Sequence, residues 1–320
     1  MRDHGGDLDA AIARFGGSVA EWVDLSTGIN RVPYPMPALP PAALATLPTR
    51  AARAELIAAA AAAYRSGAAI LPVAGAQAAI QLIPRLAAPG RARVLGPTYN
   101  EHAASLGAAG WAVETVGSAS ELEGADLAVV VNPNNPDGRV LAPERLRDLA
   151  GRVGRLIVDE SFADPVPELS VAGAAGEYGL LVLRSFGKFY GLAGLRLGFV
   201  LGARGDVARL GEMAGPWAVS GPAIVAGTQA LRDGAWQAAT TARLAGDAAR
   251  LDALAKGWRL EGGTHLFRLY ETPDAAEARD RLARARIWSR IFPWSPRLIR
   301  LGLPGGAEEW ERVAEAFIPG

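Results

Sequence analysis

The sequence predicts an α/β protein, with a large domain built on a mainly parallel mixed sheet between helices and a smaller C-terminal α+β domain. Three observations carry that expectation. Short apolar runs alternate with helical patterns through the middle of the chain, which is the pattern of βαβ units. Beyond about residue 203 the pattern changes to long Ala/Arg/Leu helices followed by short strands. Half of the 320 residues are hydrophobic, enough for one large core or a large and a small one.

The elements follow in order. The first 35 or so residues are rich in Gly and Pro with few helix signals, and read as an arm packed on another surface. The alanines at 58–63 are helix filler between Glu55 and Tyr64. Residues 75–87 read as a helix opened by a small-residue turn, 91–95 as a strand, and 99–107 as a helix stopped by Gly. A buried strand at 127–131 precedes a helix at 143–150 with Pro143 at its first position, then a strand at 155–158. Runs at 180–184 and 197–201 continue the sheet, and short strands are expected near 258–261, 265–270, 287–291 and 298–301. The expected organisation is an arm over 1–35, a large domain over 36–225 and a small domain over 226–320, joined by a helical stretch at about 204–255.

Composition excludes several classes. Lys+Arg and Asp+Glu both total 33, so no uniformly basic field exists to bind nucleic acid. Cys is absent, which removes disulfides, thiolate metal sites and a Cys nucleophile. His4, His102 and His265 are far apart and lack metal-hydrolase spacing, so no metal is expected. No window reaches the roughly 18 apolar residues of a membrane span and neither end reads as a targeting signal, so the expectation is a cytoplasmic protein.

Only Lys188 and Lys256 are lysines in a chain with 31 arginines (33 less 2). Where such a chain writes Lys, the site needs what Arg cannot supply, and a deprotonatable primary amine is the main candidate. Lys256, at a helix end before Gly257, is explained by that position. Lys188 is not.

The common phosphate motifs fail. Gly187-Lys188 is followed by Phe189 rather than Ser or Thr, and Gly191, Gly194 and Gly198 lack the G-x-G-x-x-G spacing. An ordered set of three motifs remains. Asn132-Pro133-Asn134-Asn135-Pro136-Asp137-Gly138, Asp159-Glu160-Ser161-Phe162 and Ser185-Phe186-Gly187-Lys188 each follow an expected strand, where open α/β sheets place ligands.

These residues resemble the fold-type I pyridoxal-phosphate (PLP) enzymes of the class I/II aminotransferase superfamily. The last motif continues through Gly194, Arg196 and Gly198 in the superfamily's spacing, and the resemblance covers nearly the whole chain. It implies PLP as cofactor and a PLP-dependent transferase fold. It also implies roles. Lys188 is the catalytic amine, which bonds to the cofactor aldehyde, yields to an incoming amino acid and then moves protons at Cα. Asp159 faces the pyridine nitrogen, Asn135 the ring hydroxyl, and Tyr99 stacks on the ring. Gly75, Ala76 and Gln77 supply amides to the cofactor phosphate, with Ser185 and Arg196. Arg300 grips the substrate carboxylate with its planar fork.

Within the superfamily the chain is most similar to the branch of threonine-phosphate decarboxylases and histidinol-phosphate aminotransferases. His4-Gly5-Gly6, Asp24 to Asn30, Phe162 in place of a usual Tyr, and Lys188-Phe189-Tyr190 all lean toward the decarboxylases of cobalamin synthesis. The implied substrate is a small phosphorylated amino acid, with His4 and Asn30 as candidates for its phosphate. The implied assembly is a homodimer. Leu47-Pro48 stands where aminotransferases of this branch often carry Tyr-Pro, so the cross-dimer contact of that Tyr is expected to be missing. An aminotransferase would use the same Lys, Asp and Arg, and a non-catalytic PLP-fold module is the alternative from another class.

Overall fold

A computed structural model describes residues 4–318. In chain order the strands are β1 (Val23–Asp24), β2 (Ala69–Val73), β3 (Arg91–Leu95), β4 (Ala112–Val116), β5 (Leu127–Val131), β6 (Leu156–Asp159), β7 (Leu180–Ser185), β8 (Gly198–Gly202), β9 (Arg259–Thr264), β10 (Phe267–Glu271), β11 (Ile287–Trp288), β12 (Arg290–Phe292) and β13 (Ser295–Gly302). The α-helices are α1 (Leu8–Phe15), α2 (Ala42–Ala45), α3 (Arg50–Ala63), α4 (Ala76–Leu82), α5 (Glu101–Ala108), α6 (Pro143–Ala150), α7 (Phe186–Phe189), α8 (Arg204–Ala214), α9 (Gly221–Arg232), α10 (Gly234–Leu254), α11 (Ala275–Arg284) and α12 (Ala307–Phe317).

The chain divides into two compact units, one of residues 34–135 and 139–236, the other of the N-terminal residues through 33 with 136–138 and those from 237 onward. The larger holds a seven-stranded sheet in the order β2-β8-β7-β6-β5-β3-β4. Strands β3 to β7 pair in parallel, and β8 runs antiparallel to both neighbours. Strand β5, Leu-Ala-Val-Val-Val, is buried along its whole length, as a central parallel strand covered on both faces must be. Sheet residues such as Val129, Ile157 and Leu183 pack with Ile80, Ile83 and Leu106 in one core.

Two strands of this sheet escape the sequence reading. Strand β2 contains Pro72, which argues against a central strand but is tolerated here at the sheet edge. Strand β4, Ala-Val-Glu-Thr-Val, lies at the opposite edge, is mostly exposed, and so lacks a long apolar run.

The smaller unit has a four-stranded antiparallel sheet in the order β12-β13-β10-β9 and a parallel β1-β11 pair. The β1-β11 ladder stitches the N-terminal segment to C-terminal residues, and Arg31 bonds Glu309 through both Nε and Nη2, at 2.8 and 2.5 Å. The N-terminal residues expected as an arm packed on another surface therefore group with the C-terminal residues in one unit. The boundary after Trp236 falls inside α10. The expected scarcity of helix at the N-terminus is also corrected. Asp7 caps α1 by accepting from the Ala10 amide at 3.1 Å, and Gly16 ends it at φ 77°.

Candidate active site

Nine of the expected site residues line a single cavity of about 200 Å³ in the larger unit: Gly75, Ala76, Gln77, Tyr99, Asn135, Asp159, Ser185, Lys188 and Arg196. The sheet brings them together, because Asp159 ends β6, Ser185 ends β7, and the turn of α7 carrying Lys188 follows at once. Gly187 permits that turn: a Cβ there would sit 2.8 Å from the Ala193 Cα. The Lys188 Nζ lies 5.8 Å from the centre of the Phe162 ring, which also lines the cavity.

Asp159 is 3% exposed and accepts three hydrogen bonds. His102 Nε2 meets its Oδ2 at 2.8 Å, while the Ser161 hydroxyl and amide donate to Oδ1 at 2.5 and 3.0 Å. Burial pushes the carboxyl up, but the bond and electrostatic pull of His102, with the two Ser161 bonds, outweigh it and hold the group below its ordinary value. Asp159 is therefore an ionised carboxylate aimed into the cavity.

The Asn-Pro-Asn-Asn run is pinned from both sides. The Asn132 side chain exchanges two bonds with the Leu141 backbone, at 2.8 and 3.1 Å. Asn134 accepts from the Thr98 hydroxyl at 2.6 Å and donates to the Pro97 carbonyl at 2.9 Å. This strap ties the segment carrying Tyr99 to the one carrying Asn135. The Tyr99 hydroxyl donates to Gln77 Oε1 at 3.2 Å, and Gln77 Nε2 donates to buried Glu101 at 2.9 Å.

The anion end of the cavity gathers backbone amides, a hydroxyl and a guanidinium. Gly75 precedes α4 at φ 77° and ψ 159°, a backbone region open essentially to Gly alone. A Cβ on it would lie 2.7 Å from Arg196 Nη2, so the missing side chain is the space the guanidinium uses. A Cβ at Gly198 would meet the Ala76 amide nitrogen at 2.5 Å, so the start of α4 lies directly on β8. Arg196 itself adopts left-handed backbone at φ 53° and donates from Nη1 to the Ala193 carbonyl at 3.1 Å. An amine, a buried carboxylate, an aromatic face and an anion cradle in one cavity fit the donor set PLP requires.

Arg300, Asn30 and His4 belong to the smaller unit. Arg300 is buried on β13 and donates from Nη2 to the Ser26 carbonyl at 2.6 Å. Burial, then the neighbouring Arg290 charge, push its guanidinium down to about 9, against the pull of Asp24. Asn30 is buried too, and its Oδ1 accepts from Arg243 at 2.7 Å and the Val32 amide at 3.0 Å. His4 is exposed.

Two residues beside the expected site residues are not marked by the sequence. His102 reads there only as one of three scattered imidazoles, although its spacing of three from Tyr99 is a usable signal; the two rings meet edge to face at 6.2 Å. Arg290 had no sequence signal at all. It is the direct cross-strand partner of Arg300 in the β12-β13 ladder. Like charges directly opposite repel, which is why Arg290 adds to burial in pushing the Arg300 guanidinium down.

The fold and the cavity define the class. The sequence profile of class I and II aminotransferases matches residues 41–317, and the chain belongs to that family. Its relatives narrow the comparison. The chain is 47% identical over 325 residues to the threonine-phosphate decarboxylase of a Sinorhizobium species, covering 98% of this chain and 97% of that one. It is 43% identical to the threonine-phosphate decarboxylase of Pseudomonas aeruginosa, covering 99% and 98%. Among solved structures, histidinol-phosphate aminotransferase from Sinorhizobium meliloti in complex with pyridoxal-5'-phosphate shares the fold, with TM-score 0.80 and 19% identity over 99% of this chain and 94% of that one.

Proposed function

We propose that this protein is a PLP-dependent lyase that decarboxylates L-threonine O-3-phosphate to (R)-1-amino-2-propanol O-2-phosphate, a building block of cobalamin. The observation that carries the reading is the single cavity holding Lys188, Asp159 and the anion cradle, in a chain that matches two threonine-phosphate decarboxylases from end to end. When bound, PLP supplies an electron-poor ring that takes up the electron pair left at Cα when the carboxylate departs as CO2.

The chain's residues do the rest. Ionised Asp159 keeps a proton on the ring nitrogen, and the His102 and Ser161 bonds keep Asp159 ionised. Tyr99 would hold the ring plane, and Asn135 would take the ring hydroxyl. The 75–77 amides, Ser185 and Arg196 would take the cofactor phosphate. Lys188 would hold the cofactor at rest and, once freed, return a proton to Cα. Arg300 would take the substrate carboxylate, and His4 is the candidate for its phosphate; the Asn30 oxygen is engaged by Arg243. The selectivity for losing CO2 would rest on how the chain's residues orient the substrate's two anionic groups.

The protein works in the cytoplasm as a homodimer in this reading. No helix among the described residues is long and apolar enough to cross a membrane. The larger unit exposes the apolar side chains of Met36, Leu44, Leu47 and Trp217, which a second copy could cover. The test is to incubate PLP-loaded protein with L-threonine O-3-phosphate alone, and separately with histidinol phosphate and 2-oxoglutarate. CO2 release without an oxo acid is expected, and glutamate formation without CO2 would make the protein an aminotransferase.

A further inference from the structure

Behind the cavity lies a charged cluster that the proposed chemistry does not use. Arg184 is 3% exposed, yet its guanidinium stands between two carboxylates. Nη1 donates to Glu160 at 2.7 Å and Nη2 donates to Asp164 at 2.5 Å, and the group lies over the Tyr64 ring at 4.4 Å. Glu160, fully buried, also accepts from the Ser170 hydroxyl and the Val171 amide, each at 2.6 Å. Stability alone does not explain this arrangement, because burying charges costs several kcal/mol per ion and a well-packed apolar replacement is often neutral or stabilising.

What the cluster secures is a spacing. Glu160 directly follows Asp159, and Arg184 directly precedes Ser185. Successive residues of extended backbone point to opposite faces, so the cluster lies on the face opposite the cavity while Asp159 and Ser185 line it. Strands β6 and β7 are neighbours, with Asp159 opposite Leu183, and the Glu160 amide continues the ladder onto the Leu183 carbonyl at 2.9 Å. The β6–β7 ladder stops there, beside the residues that would grip opposite ends of the cofactor, while β7 stays paired with β8 through Ser185. A planar guanidinium fork joining Glu160 to Asp164 closes the two strand ends beyond the last ladder bond.

We propose that Arg184 is a positioning residue, which through Glu160 and Asp164 fixes the span between Asp159 at the ring nitrogen and Ser185 at the cofactor phosphate. This rests on the reading of the cavity as a PLP site. The latch acts by geometry, so it requires hydrogen-bond acceptors at 160 and 164 and a fork at 184. A fixed span lets one cofactor pose satisfy both ends at once, and a loosened one lets the ring tilt away from Asp159 or the phosphate slip from Ser185.

The test measures PLP affinity and the visible absorbance and circular dichroism of the bound cofactor, without reference to turnover. Borohydride reduction of the wild-type holoenzyme, followed by mapping of the modified peptide, comes first; no label on Lys188 overturns the cavity reading, and the inference with it. With Lys188 labelled, Asp164→Asn, which keeps an acceptor for Nη2, is expected to bind PLP as the wild type does, and Asp164→Ala at least tenfold more weakly with a shifted band. Arg184→Met alone leaves two buried carboxylates stranded, so the neutral triple variant Arg184→Met/Glu160→Gln/Asp164→Asn provides the second arm. It is expected to melt within a few degrees of the wild type and to bind PLP at least tenfold more weakly. Equal PLP affinities for Asp164→Asn and Asp164→Ala, or wild-type affinity in the folded triple variant, overturn the inference and leave the PLP reading intact.

Discussion

Asp159 shows how a single group is tuned by its neighbours. Its pKa in the folded protein lies below the ordinary 3.8, so the ionised carboxylate contributes stability above that value, and the contribution is lost as pH falls through the folded pKa. His102→Asn weakens the largest of the favourable interactions and raises that folded pKa. Acid unfolding of the variant is expected to begin at higher pH than in the wild type, and coincident acid titrations would show that the His102 bond contributes nothing. Arg300 is the opposite case, because its pKa is pushed from an ordinary 12.5 to about 9. Below pH 9 it is charged in both states, so burial costs stability at neutral pH, and the cost is relieved only as pH rises above 9. In the proposed reading a bound substrate anion would offset that cost. Arg300→Ala is expected to raise the KM for the phosphorylated amino acid by an amount worth about 2–5 kcal/mol, and unchanged steady-state kinetics would remove Arg300 from the site.

At the scale of elements, the site depends on how closely turns approach strands. The start of α4 touches both β8 and the Arg196 side chain, and each contact uses the space of an absent Cβ, at Gly198 and at Gly75. Gly75→Ala combines a contact 2.7 Å from Arg196 with a backbone conformation that L residues avoid. It is expected to destabilise the protein by about 1–3 kcal/mol, measured by denaturant midpoint, and to weaken binding of the cofactor phosphate. A variant with wild-type stability and affinity would mean that the turn relaxes freely. The edge strands show the converse. Strands β2 and β4 are the two edges of the sheet: Pro72 interrupts the run of the mostly buried β2, and Glu114 and Thr115 interrupt that of the mostly exposed β4.

For the molecule as a whole, the two ends of the chain fold as one unit. Strand β1 pairs with β11, Ala11 and Trp22 share a small core with Ala283, Arg14 bonds Asp280, and Arg31 bonds Glu309. Removing the first 33 residues is expected to expose that core and the β11 edge, lowering the first thermal transition and opening the C-terminal residues to limited proteolysis. An unchanged melting curve and digestion pattern would show the N-terminal segment to be dispensable. No composition signal carries this joining, because the contacts span more than 250 residues of sequence.

The sequence by itself determined the α/β class, the central strands and the nine residues that meet in the cavity. Parallel strands buried on both faces must be apolar, and ligand-binding groups sit in fixed positions just past their carboxyl ends, so both patterns are local and countable. Only the tertiary structure decided that His102, 57 residues before Asp159, closes on its carboxylate. It also set Arg290 opposite Arg300, engaged Asn30 with Arg243, and latched Glu160 to Arg184. Each of these depends on strand register or on packing between distant segments, which a single sequence does not encode in any local spacing.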